Sequence, residues 1–106
     1  MPNFMFAYHG GSGPMTEEEG KAAMAAWGAW FQELGDSVVD FGNPVGMSST
    51  VSADGVVNNG GANPVSGYGI FAAADMATAC EMAKGCPMVQ NGSGSVEVAE
   101  IVVLEM

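Results

Sequence analysis

Residues 3–9 alternate along an extended chain, with Phe4, Phe6 and Tyr8 on one side and Met5, Ala7 and His9 on the other. Both sides are largely apolar, which predicts a central strand covered on both faces. The glycine-rich stretch Gly10-Gly11-Ser12-Gly13-Pro14 reads as a turn. A helical period then takes over. Thr16 followed by Glu19 is a capping box, and Glu17, Glu18 and Glu19 suit the positive end of a helix dipole. The helix is expected to run to about Leu34 and stop at Gly35. Its inward stripe reads Met24, Trp27, Phe31 and Leu34, with Trp30 lying off that stripe.

Further on, Ser37 to Phe41 starts a strand that Gly42-Asn43-Pro44 interrupts, and Val45 to Ala53 is a second extended stretch. Asp54-Gly55 is a two-residue hairpin signal, with Val56-Val57 as the return strand. Asn58 to Gly67 reads as a loop, and Tyr68 to Ala73 as another covered strand. Asp75 caps a second helix ending at Lys84-Gly85, with Met76, Ala79, Cys80 and Ala83 inward; Pro87 prevents its continuation. Asn91-Gly92-Ser93-Gly94 turns the chain into a last strand, Ser95 to Leu104.

This order, βαββαβ with an extra β-hairpin, predicts an α+β fold in one domain over 1–106. It is a ferredoxin-like, four-stranded antiparallel sheet with two helices on one face. The other face, carrying Met5, Phe71 or its neighbours and the valines of the last strand, then needs a cover. A second copy of the chain is the simplest cover, so a homodimer is expected.

Composition narrows the partners. Twelve acidic residues against Lys21 and Lys84 leave a net charge of −10. Binding nucleic acid or an anionic membrane surface requires cations, so neither partner is expected. No apolar run approaches the roughly 20 residues that span a bilayer, and the N-terminus lacks the marks of a signal peptide. Cytoplasmic residence is the expectation. Cys80 and Cys86 project to different sides of a helix, which predicts reduced thiols, mostly buried. Three consecutive glutamates diverge by about 100° each on a helix and cannot converge on one ion, and no other ligand set suggests a metal. The glycines before the first helix are a poor dinucleotide fingerprint, because glutamates follow where a pyrophosphate would sit. No cofactor is expected.

Several segments together resemble the YCII-related family. They are Phe6-Ala7-Tyr8-His9-Gly10-Gly11, Ala25 to Phe31, Gly67-Tyr68-Gly69-Ile70, Lys84-Gly85-Cys86-Pro87, Gly94-Ser95-Val96-Glu97-Val98 and Leu104-Glu105-Met106. The resemblance spans essentially the whole chain and implies a dimeric α+β barrel. It is specific for fold, not for chemistry. One large branch has Asp-Gly-Pro-Phe where this chain reads Gly61 to Gly67. The first helix contains no histidine, so the His–carboxylate pair proposed as catalytic in some members does not carry over.

His9, the single histidine, is the only side chain whose ordinary pKa lies near neutrality. The expected arrangement puts His9 at the sheet edge where the second strand begins, about 10 Å from Asp40. His9 as general acid/base with Asp40 as polar partner is the catalytic reading; a histidine bonded to a loop carbonyl is the structural one. Trp27 at core spacing reads as packing. Trp30 covers the sheet edge, joins an interface or lines a pocket. Asn43, Ser66 and Tyr68 supply amide and hydroxyl groups for a neutral or polar ligand, with Asn58, Asn59 and Asn63 in a lid-like loop. The leading expectation is a homodimer binding a small molecule near the end of the first strand. An enzyme of lyase or isomerase type and a protein-interaction module are the alternatives.

Overall fold

A computed structural model describes residues 1–11, 16–58, 61 and 63–104, that is, all but 12–15, 59, 60, 62, 105 and 106. Part of the glycine turn, Asn59 of the lid-like loop and the terminal Glu105-Met106 therefore lie outside the described residues.

The elements are β1 (Asn3–Gly10), α1 (Glu17–Leu34), β2 (Val38–Pro44), β3 (Thr50–Ser52), β4 (Gly55–Val57), β5 (Val65–Ala72), α2 (Met76–Lys84), α3 (Pro87–Gln90) and β6 (Gly94–Glu100). Four strands form an antiparallel sheet in the order β2-β5-β1-β6, while β3 and β4 pair separately as a hairpin. β1 and β2 are both antiparallel to β5 and so run in the same direction, joined by the α1 crossover.

Local chemistry explains the helix ends. The Thr16 hydroxyl accepts from the Glu19 N–H at 3.1 Å, and the Glu19 carboxylate accepts from the Thr16 N–H at 3.2 Å. Gly35 closes α1 with φ at 56°, its N–H bonding the Phe31 carbonyl. The Asp75 carboxylate caps α2 by accepting from the Thr78 N–H at 2.8 Å, a bond that holds its pKa below the usual carboxylate range. Pro87 ends the run of α2 and also opens the short α3, where its missing N–H is no loss.

Register decides which side chains meet. Phe4 lies opposite Phe71, Phe6 opposite Gly69 and Val98, and Tyr8 opposite Gly67 and Val96. All of these face the helices, and Phe4, Phe6 and Phe71 are fully buried. The expected uncovered face therefore changes. Phe71 and the β6 valines pack into the core, and the uncovered face carries Met5, Ala7, Ile70 and Ala99 beside His9, Ser95 and Glu97.

The stripe of α1 also differs. Met24 is 78% exposed, while Trp30 is the one buried residue of the helix. The inward face is Ala23, Trp27, Trp30, Phe31 and Leu34, still at helical spacing but turned toward Trp30. In α2, Ala79 and Ala83 face inward as expected, but Met76 and Cys80 are exposed. Cys86 is buried, and both cysteines are free. The hairpin turns on Ala53 and Asp54, because Ser52 pairs with Gly55, one residue earlier than the Asp54-Gly55 signal implied. β6 ends at Glu100, short of Leu104.

Candidate functional site: a cavity beneath the first helix

β2 and β5 build the site through what their glycines omit. Gly67 and Gly69 alternate with Tyr68 and Ile70, so β5 offers no side chain to the helix layer until Phe71. The Phe71 ring fills the space over Gly69, where a Cβ would come within 2.8 Å of it. Over Gly67 the Tyr8 ring leans in, its Cδ2 3.3 Å from where a Cβ would stand. In β2, Gly42 adopts φ of 71° at a break in register, with the Asp40 carboxylate accepting from its N–H at 2.8 Å. A Cβ at Gly42 would run into the Tyr68 carbonyl. This kink sets Phe41 edge-on against Phe31 of α1, with ring centroids 5.0 Å apart.

The result is a cavity of about 310 Å³. Its walls are Tyr8, Trp27, Phe31 and Phe41, with Met88 reaching in from α3. Tyr8 and Trp27 meet edge to face at 5.0 Å. Asn43, Ser66 and Tyr68 border it from β2 and β5, but Tyr68 pairs with Ala7 and with Asn43, which puts the Tyr68 and Asn43 side chains on the sheet face away from the helices. The Asn43 amide donates to the Tyr68 hydroxyl at 3.2 Å, and the Ser66 hydroxyl donates to the Tyr8 carbonyl at 3.1 Å. No charged residue lines it among the described residues. The structure thus brings together Asn43, Ser66 and Tyr68 from the expected ligand set.

Trp30 stands elsewhere. It is 4% exposed, packed against Phe6 and Phe71, and its indole N–H donates to the Met82 carbonyl at 3.1 Å. Gly85 makes room for it, since a Cβ there would sit 3.1 Å from the indole. The tryptophan on the cavity is Trp27, whose core spacing predicts packing. Tyr8, Phe31 and Phe41 also went unassigned to a site. A signal for them was present in the Gly-Tyr-Gly triplet at 67–69, which strips one strand face of side chains.

His9 and Asp40 do not meet. His9 aligns with Val65 and Ser95, whereas Asp40 aligns with Ile70, which in turn faces Met5. Four residues along the strand and two strands across put about 16 Å between their Cα atoms. The parallel run of β1 and β2 is the reason: the end of β1 lies beside the end of β2, not its start. The imidazole instead has Nε2 3.0 Å from the Glu97 carboxylate and Nδ1 3.0 Å from the Asn63 carbonyl. A neutral imidazole can donate to only one of these acceptors, and the cation donates to both. Neither His9 nor Glu97 lines the cavity. Glu97 was missed because only register shows that it sits diagonally across from His9.

Burial keeps two other groups protonated. The Tyr8 hydroxyl is pushed well above its ordinary pKa, first by burial and then by the nearby Cys86. That hydroxyl has no hydrogen-bond partner among the described residues. The Cys86 thiol is likewise raised by burial, which makes it a poor nucleophile. No three His, Cys, Asp or Glu side chains gather as metal ligands among the described residues. No described helix is long and apolar enough to cross a membrane. No protein-family model, curated protein or solved structure matches the chain.

Proposed function

We propose that the chain is a cytoplasmic, YCII-related protein of ferredoxin-like topology that binds a small uncharged molecule as a homodimer. The cavity carries the binding part of this reading. It is concave, walled by aromatic rings and free of charged lining residues, which suits a small uncharged molecule. The strand order β2-β5-β1-β6 supports the ferredoxin-like topology, and the motifs quoted above support the family.

The dimer is supported by shape. The chain measures 46 × 43 × 19 Å, with a radius of gyration of 15.0 Å. A compact chain of this length has about 13 Å. Helices cover one sheet face only, Met5 on the other is 40% exposed, and the hairpin valines Val51 and Val56 are 74% and 63% exposed. A two-stranded hairpin is marginal by itself, and a second copy gives it something to pack on. Sedimentation at micromolar concentration is expected to show a dimer; a well-behaved monomer contradicts this part of the reading. A thermal-shift screen tests the binding part, because a ligand specific for the folded state raises the unfolding temperature whatever its chemistry.

One observation favours a second reading, an enzyme of lyase or isomerase type. His9 is oriented by Glu97 at 3.0 Å, a pairing that suits a general acid/base. In that case Glu97, not Asp40, is the partner, and the substrate approaches the uncovered sheet face. His9→Ala then abolishes turnover while ligand binding in the cavity persists.

A further inference from the structure

The segment that follows β6 is apolar and stands in water. The Ile101 N–H donates to the Asn3 carbonyl at 2.8 Å, which carries the ladder one residue past Glu100. Val102, Val103 and Leu104 beyond it are 71%, 86% and 72% exposed. The hairpin is a second such region. Val51 pairs with Val56, and both are exposed, as is Val57.

The topology sets these two regions apart. β6 is antiparallel to β1 and brings Glu100 level with Phe4, so residues 101–104 leave from the Asn3 end of the sheet. β2 runs with β1, and β5 runs against both. The hairpin therefore departs at Pro44 and returns at Val65, beside the Gly10 end. β1 spans eight residues, so the two ends lie about 23 Å apart.

Resting on the homodimer reading above, we infer that residues Val102–Leu104 of one copy pack as a third strand on the β3–β4 hairpin of the other. Two sheet faces that meet face to face are related by a two-fold axis lying between them. An axis along the strands lays like end on like end. An axis across the strands reverses their direction and lays the 101–104 end of each copy over the hairpin end of its partner. Only the second arrangement brings the two exposed apolar regions together, and symmetry makes the contact twice. The hairpin gains what it lacks, because two strands alone are marginal and an added strand supplies both ladder bonds and apolar cover. Charge does not oppose the contact. Asp54 is the only charged residue in 50–57, and 101–104 has none, although the chain carries −10.

The test measures the dimer constant of the whole chain by sedimentation for Val56→Asp, Val103→Lys and the variant carrying both. Both positions are exposed, so the protomer fold should persist, which circular dichroism checks at concentrations where the copies separate. Each single substitution is expected to weaken association at least about tenfold, Val103→Lys despite lowering the net charge. The double variant sets each aspartate against the partner's lysine and is expected to recover most of that loss. Undiminished association in either single variant overturns the inference and leaves a dimer held by the sheet faces alone. A double variant no tighter than the weaker single one also overturns it, because the two positions then do not meet. A monomeric unsubstituted chain overturns the homodimer reading and this inference with it.

Discussion

Trp27 and Trp30 sit one turn apart on α1 and meet edge to face at 5.7 Å, but the two ends of the helix–sheet layer that they occupy are built differently. Trp30 is 4% exposed, and the surface groove between α1 and α3 only borders its edge. Phe6, Phe71 and Gly85 close on the indole, and its N–H is satisfied by Met82. Around Trp27 the sheet withholds a side chain at Gly67, Tyr8 leans over that glycine, and a cavity remains beside the two rings. The same residue type on the same helix thus serves packing at one end and lines a cavity at the other. Side-chain identity on α1 does not separate these roles; the glycines opposite do.

The largest break in this comparison should come from Trp30→Ala. Removing a buried tryptophan leaves a void in a closed core, and the expected loss is about 3–5 kcal/mol in urea unfolding. Next comes Gly42→Ala. The positive φ and the blocking Tyr68 carbonyl predict a loss of about 2–3 kcal/mol, with the β2–β5 pairing disturbed. Amide exchange in β2 and β5 should rise in this variant while that in β6 is unchanged. Trp27→Ala should cost less, about 1–2 kcal/mol, because its ring already borders open space. Its effect on aromatic probe binding should instead be larger than that of any variant at the Trp30 end. Equal stability losses at Trp27 and Trp30 would erase the distinction.

The sequence made some of this visible, and the reasons are physical. Both helix starts were legible from Thr16, Glu19 and Asp75, because a cap is a local hydrogen bond between near neighbours. The hairpin was legible for the same reason, within one residue. What needed register was not legible. Met24 and Trp30 compete for the inward stripe of α1, and only Gly85, more than fifty residues away, leaves space for Trp30. The expected pairing of His9 with Asp40 needs the start of β2 level with the end of β1, whereas the two strands run in the same direction and pairing of β1 with β6 brings His9 to Glu97. Asn43, Ser66 and Tyr68 were legible as polar positions, but that they lie within β2 and β5, with Asn43 opposite Tyr68, needed the register too.

The smallest expected effect is the most specific, and it concerns Tyr8, whose ring walls the open end. Its hydroxyl is buried without a partner among the described residues. An unpaired buried hydroxyl opposes folding by roughly 1–3 kcal/mol. Tyr8→Phe keeps the ring and removes that group, so stability at neutral pH should rise by about 1 kcal/mol. The pH dependence separates this from a general packing effect. Tyr8 and Cys86 hold their protons in the fold above their ordinary values of 10.0 and 9.0. Above those values the unfolded chain releases protons that the fold retains, so stability falls as pH rises and is unaffected below. Tyr8→Phe deletes the tyrosine part of that fall and should move the alkaline unfolding midpoint upward, leaving the part due to Cys86. A gain at neutral pH with an unmoved alkaline midpoint would mean that the hydroxyl is not the group held protonated. A loss at neutral pH would mean that it has a partner and that the open end is more tightly built than the comparison with Trp30 implies.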